Sequence, residues 1–211
     1  MSTSVLLDQI KSKKNMTLLG SEVHNAMTAG ARDGDIYFNP LKSRPFSYLE
    51  PEEYLRRCYR ISSQEHSGYL LSLFNSSLMT FWLGTREKVT KEDLVAMPIY
   101  LPVDEEIGVV EKLAEYVRVT HCPLSPRLET TRIMRVIDTL ILEFYFPDHL
   151  KQIGLSILSQ VSHDVATSGG LDSLDATWSD NEVRDKISLL AIRSPLLLRP
   201  ILEGKYTDYN I

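Results

Sequence analysis

The sequence predicts an α+β fold, mostly helical, in which a small α+β module leads into a helical module. Three observations carry this prediction. Apolar residues recur at helical spacing in successive stripes beyond residue 104. Short runs of strand-forming residues, each closed by proline, occur near 35–39 and 97–102. Between them lies a paired apolar run, Tyr69–Phe74 and Leu78–Leu83, interrupted by Asn75-Ser76-Ser77. With 211 residues, 43% hydrophobic and 24% charged, the chain has ordinary globular composition and enough length for one domain, or two small ones packed closely. The division expected is an N-terminal segment 1–34, a module 35–103 and a helical module 104–211.

The elements follow in chain order. Residues 1–34 are weakly patterned, and Ala29–Asp35 reads as a turn. Asp35-Ile-Tyr-Phe38 is expected as a short strand stopped by Asn39-Pro40, and 39–50 as an irregular loop. Glu50-Pro51-Glu52-Glu53 suits a helix start, with Tyr54, Leu55, Cys58 and Tyr59 following at helical spacing. Asn75 and Ser76 are expected to cap a break between two buried helices, and Gly84 to close the second. Thr85–Lys91 is polar and expected exposed, Lys91–Val95 forms one helical turn, and Met97–Pro102 reads as an extended rail.

In the second half, Ile107, Val110, Leu113, Ala114 and Val117 form one stripe. Ile133, Ile137, Leu140, Ile141 and Phe144 form a second, which Pro147 is expected to stop. Leu150, Ile153, Ile157, Leu158 and Val161 form a third. Residues 167–181 read as a Gly/Ser/Asp-rich loop, and Val183–Ala191 as a fourth helix. Asp104-Glu105-Glu106 reads as the acidic first turn of a helix.

Net charge is −5, which argues against a protein that coats nucleic acid by bulk charge. The charge is uneven. Residues 1–103 carry 12 Lys/Arg against 11 Asp/Glu, and 104–211 carry 11 against 17. No apolar run approaches the roughly 18 residues of a membrane span, and the N-terminus has no secretory signature, so a cytoplasmic setting is expected.

Two cysteines are too few for a disulfide framework or a cysteine-built zinc site. No two of the five histidines, His24, His66, His121, His149 and His163, have metal-ligand spacing. P-loop, G-x-G-x-x-G and G-x-S-x-G patterns are absent. No metal, cofactor or catalytic residue is therefore expected, and Cys58 and Cys122 are read as packing thiols, Cys58 on an apolar helical face. Aromatic and basic residues interleave from Tyr37 to Arg60, the residue types that stack on bases and contact phosphates. The competing reading places the aromatics in the core and neutralises the arginines with Glu50, Glu52 and Glu53.

Leu70-Leu-Ser-Leu-Phe-Asn-Ser-Ser-Leu-Met-Thr-Phe-Trp-Leu83 resembles the L-L-x-L-x-N-S-x-L segment of target-recognition domains in TaqI-like and Eco57I-like N6-adenine DNA methyltransferases of restriction–modification systems. Type I specificity subunits have a similar segment. Lys91–Pro102 resembles the step that follows it in those enzymes, and Ile137–Pro147 the helix near their end. The resemblance covers roughly 65–160. It departs where the chemistry would be: Asn39-Pro40 is followed by Leu41-Lys42 and not by the Pro-Tyr of the catalytic motif, which holds a flipped adenine. No glycine-rich cofactor loop precedes it.

The resemblance thus implies a recognition and C-terminal part without a transferase. Such a chain would be a non-catalytic, specificity-like DNA-recognition subunit of a restriction–modification or related phage-defence complex. It would bind double-stranded DNA beside a methyltransferase or nuclease subunit. Candidate DNA contacts are Lys42, Ser43, Arg44 and Tyr48 on a first loop, and Thr85, Arg86, Lys88 and Lys91 on a second. Asn75, Ser76 and Pro98 are expected to be structural. The alternative is a protein–protein adaptor that keeps the scaffold and does not read DNA.

Overall fold

The computed structural model describes residues 3–12, 23–25, 35–39, 46–48, 58–62, 66–84, 88–120 and 128–167. Among these the chain is α+β and mostly helical. It divides into two units, Met1–Val103 with Phe144–Phe146, and Asp104–Glu143 with Pro147–Ile211.

The first unit opens with α1 (Thr3–Ser12), on which Ile10 is buried. Its strands are β1 (Val23–Asn25), β2 (Ile36–Asn39), β3 (Phe46–Tyr48) and β4 (Tyr59–Ile61). They form one antiparallel sheet in the order β1-β4-β2-β3. The central place of β2 explains its burial. Ile36, Tyr37 and Phe38 are all buried, as in a strand covered on both faces.

Strand alternation separates the two faces. On one, Ile36 pairs with Ile61, and the Phe38 ring meets Phe74 edge-on at 6.0 Å. On the other, Arg60 stands opposite Tyr37, and its Nε lies 3.6 Å from an Asp35 carboxylate oxygen. Asp35 and Arg60 are 1% and 4% exposed, so this ion pair is desolvated.

The helix expected to run through Cys58 and Tyr59 is therefore not formed there. Half-buried Cys58 leads directly into β4, where residues 59–61 gain ladder bonds to two strands at once. The Glu50–Leu55 part of that expectation lies outside the described residues.

α2 (Ser67–Phe74) and α3 (Ser77–Leu83) follow, joined at Asn75-Ser76. α2 buries Tyr69, Leu70, Leu73 and Phe74, and α3 buries Leu78, Met79 and Leu83. Ser76 closes both helices with one hydroxyl: it donates to the Leu73 carbonyl at 2.7 Å and accepts from the Met79 N–H at 3.2 Å. The Asn75 amide donates to the Leu71 carbonyl at 3.0 Å. Gly84 ends α3 at φ +64, a backbone conformation that side chains disfavour.

α4 (Lys91–Val95) begins with a capping box, in which Thr90 and Asp93 exchange side-chain and backbone bonds. Val89 and Leu94, at the positions of a hydrophobic staple, are both buried. One correction concerns α3: Phe81, read as part of a buried face, is 39% exposed.

The second unit contains α5 (Asp104–Thr120), most of α6 (Leu128–Tyr145), α7 (Pro147–Gln152) and α8 (Leu158–Thr167). The predicted stripes of α5 and α6 are buried, save half-buried Val117, and Asp104-Glu105-Glu106 forms the acidic first turn of α5. Pro147 ends α6 and also opens α7, where a missing N–H costs nothing.

The third stripe is not one helix. The Leu155 N–H reaches the Leu150 carbonyl at 2.8 Å and the Gly154 N–H reaches Lys151 at 3.2 Å, with Gly154 at φ +73. This is a Schellman stop, which only a residue tolerant of positive φ closes without strain. Ile153, left at the end of α7, is 50% exposed. Residues 168–211, with the expected fourth helix, lie outside the described residues, as does 121–127.

Removing one partner of a buried ion pair strands the other in low dielectric. Asp35→Ala or Arg60→Ala should therefore lower unfolding free energy by about 3–5 kcal/mol. Urea denaturation of each variant checks this; a loss below about 1 kcal/mol, the range of an exposed pair, would contradict the desolvated geometry.

Candidate nucleic-acid interface

The first unit holds a segment that belongs to no ladder. Met97–Pro102 was expected to supply strand, but it forms neither helix nor strand and pairs with no strand among the described residues. Proline at 98 and 102 removes the amide that a ladder needs at each end. Met97, Pro98, Ile99 and Pro102 are nonetheless buried, so the backbone polar groups between them need partners.

Two tyrosine hydroxyls supply them. Tyr145 donates to the Pro98 carbonyl at 3.0 Å and accepts from the Tyr100 N–H at 2.9 Å. Tyr69, from α2, donates to the Tyr100 carbonyl at 2.5 Å. Ring packing adds to the clasp: Tyr145 meets Tyr100 edge-on at 6.1 Å, and Tyr69 lies 6.2 Å from Phe144.

Both hydroxyls resist ionisation. Burial raises the Tyr69 pKa far above the ordinary value of 10.0, and negative charge on Tyr145 or Tyr100 would raise it further. Burial also raises the Tyr145 pKa, partly offset by the hydrogen bond from the Tyr100 backbone.

This clasp, the Asn75-Ser76 junction and the sheet are the described elements nearest in sequence to the candidate contacts. Residues 40–45, which include Lys42, Ser43 and Arg44, join two strands paired at Asn39↔Phe46. Thr85 and Arg86 lie between Gly84 at the end of α3 and buried Val89 before α4. Lys42, Ser43, Arg44, Thr85 and Arg86 themselves lie outside the described residues.

Lys88 and Lys91 are exposed, Lys91 as the first residue of α4. Tyr48 is corrected: it belongs not to a loop but to β3, opposite Tyr37, because Phe46-Ser-Tyr48 completes the sheet edge. Of the interleaved aromatic and basic residues, Tyr37, Phe38 and Arg60 are buried in the core, as the competing reading has it for the aromatics. Arg60 is paired with buried Asp35, while Glu50, Glu52 and Glu53 lie outside the described residues.

Asn75 and Ser76 hold helix ends, and Pro98 is buried with its carbonyl bonded. Sequence reasoning missed the clasp. Its signal was available as two tyrosines within otherwise apolar helical faces, each with one polar atom to satisfy. Also missed was exposed Phe81 on α3, three residues before Gly84.

Among the described residues no three His, Cys, Asp or Glu side chains gather as metal ligands, and no helix is long and apolar enough to cross a membrane.

The tyrosines give stability a pH dependence of definite sign. With folded-state pKa values raised, the stabilisation is intact below the unfolded value of 10.0 and declines as pH rises above it. An alkaline titration followed by tyrosinate absorbance should show Tyr69 and Tyr145 ionising only as the chain unfolds. Tyr145→Phe should cost about 1–3 kcal/mol at neutral pH by leaving the Pro98 carbonyl and Tyr100 amide unsatisfied, and should flatten the decline above pH 10. Equal alkaline slopes in both proteins would contradict the assignment.

No family model, no curated protein and no solved structure matches the chain.

Proposed function

We propose that the chain is a non-catalytic DNA-recognition subunit of a restriction–modification or related phage-defence complex, acting beside a methyltransferase or nuclease subunit. The observation that carries this reading is the anchoring of both candidate loops. The segment with Lys42, Ser43 and Arg44 starts and ends on paired strands. The segment with Thr85 and Arg86 starts at the positive-φ glycine that ends α3, Gly84, and ends at buried Val89. Short segments that begin and end on packed elements are suited to present side chains to base edges.

Lys88 and Lys91, exposed beside the second segment, suit phosphate contacts, and exposed Phe81 offers an aromatic surface for a sugar or base. The resemblance of 70–102 and 137–147 to target-recognition segments supports the same reading. In it, 35–103 is the recognition-type module and Tyr48 contributes through the sheet edge.

Binding of the purified chain to a pool of random duplex DNA, titrated with salt, tests the reading. Affinity should fall steeply with salt. Lys88→Ala and Lys91→Ala should each reduce the slope by about 1, equally for every sequence bound. Arg44→Ala or Arg86→Ala should weaken binding of the preferred sequence by roughly 1–3 kcal/mol if either reads a guanine. Binding that is absent, or indifferent to salt, would reject DNA recognition and favour the adaptor reading, to which the acidic excess of 104–211 is suited.

A further inference from the structure

We propose that α8 is a fold-on-docking segment: it is helical only while seated on the second unit, and the Glu143 carboxylate is the latch that seats it. Every part of the device lies within that unit, and it does not depend on whether the chain meets DNA.

A helix begins with amides that it cannot bond internally. At the start of α8 the capping position is held by Ile157, which has no side-chain acceptor, and the Ser156 hydroxyl before it donates to Glu143. The cap comes instead from α6. Glu143 is 6% exposed, and its carboxylate accepts from the Ile157 and Leu158 N–H groups, both at 2.9 Å, as well as from Ser156. A carboxylate at that end also suits the helix dipole.

Two further features leave α8 without support of its own. It has ten residues, fewer than the roughly 12–15 below which an isolated helix is marginal in water. The Gly154 stop, at φ +73, separates it from α7, so it cannot grow from a helix already formed. Docking supplies what is missing. Ile157, Val161 and Val165, spaced four apart, are buried, and α8 packs on α5. Helix formation and seating are thus one event. Losing the latch strands two amides and releases the segment from Ile157 to Thr167 together, which exposes those three apolar side chains.

Amide hydrogen exchange on the full chain tests this, with the Val110 amide in α5 as the reference for the rest of the unit. The Val161 amide bonds to the Ile157 carbonyl at 2.9 Å, and Val165 lies a turn further along the helix, so both report on α8 beyond its cap. In the unaltered chain Val161 and Val165 should exchange through one common opening, about tenfold or more faster than Val110. Glu143→Ala should speed Ile157, Leu158, Val161 and Val165 together, by about tenfold or more beyond any change at Val110. Glu143→Gln keeps an acceptor and should give the same pattern at smaller size. Ser156→Ala, at an exposed position, removes one bond to Glu143 and should also move all four amides together; it serves where Glu143→Ala does not fold. Faster exchange confined to Ile157 and Leu158 would make Glu143 a local cap and overturn the proposal. Equal acceleration at Val110 would overturn it too, since α8 would then open only with the whole unit.

Discussion

A buried backbone without a ladder is the constraint around which the first unit is organised. Pro98 and Pro102 prevent the rail from becoming a strand, yet burial of Met97 and Ile99 removes water as a partner. Side-chain hydroxyls are the remaining solution. Tyrosine suits it because a long, rigid ring fills core volume while its tip reaches a carbonyl or amide. Placing Tyr69 on α2 and Tyr145 at the end of α6 fixes the rail from two helices at once. α2 is in turn held to the sheet through Phe74 and Phe38, so the rail, the helix pair and the central strand form one continuous packing.

Local chemistry made part of this legible in the sequence. Asn75-Ser76 signals a helix junction because its side chains satisfy helix ends within four residues. The stripes of α5 and α6 are long enough for periodicity to be unambiguous. What failed depends on distant partners. Tyr59-Arg-Ile61 is only three residues long, and its strand character comes from β2 and β1, which lie more than twenty residues earlier in the chain. The rail has strand composition but lacks neighbours. Gly154 sits inside a plausible stripe, and only the six-residue hydrogen-bond pattern around it shows that the helix stops.

Around the candidate contacts, the polar run after Gly84 marked Lys88 and Lys91 as exposed, but Val89 within the same run is buried as part of the staple on α4. Tyr48 was misplaced, since an aromatic in a short strand and one in a loop look alike without the register to β2. Arg60 shows how composition misleads in the other direction. A basic residue among aromatics suggests a surface for anions, but its charge is spent against Asp35 within the core. An arginine on a central strand is tolerated only with such a partner, so its presence reports on the sheet and not on a ligand.

Four buried side chains follow one rule: each is recruited to a backbone group that secondary structure left over. Ser76 serves the junction of α2 and α3, Glu143 serves the start of α8, and Tyr69 and Tyr145 serve the rail. Such contacts contribute little net stability when made, about 1 kcal/mol each, but losing one leaves a desolvated donor or acceptor. They therefore act less as glue than as selection against alternative packings. Within the second unit, a packing that moved Glu143 away would strand the Ile157 and Leu158 amides. Within the first, one that moved Tyr145 away would strand the Pro98 carbonyl and the Tyr100 amide.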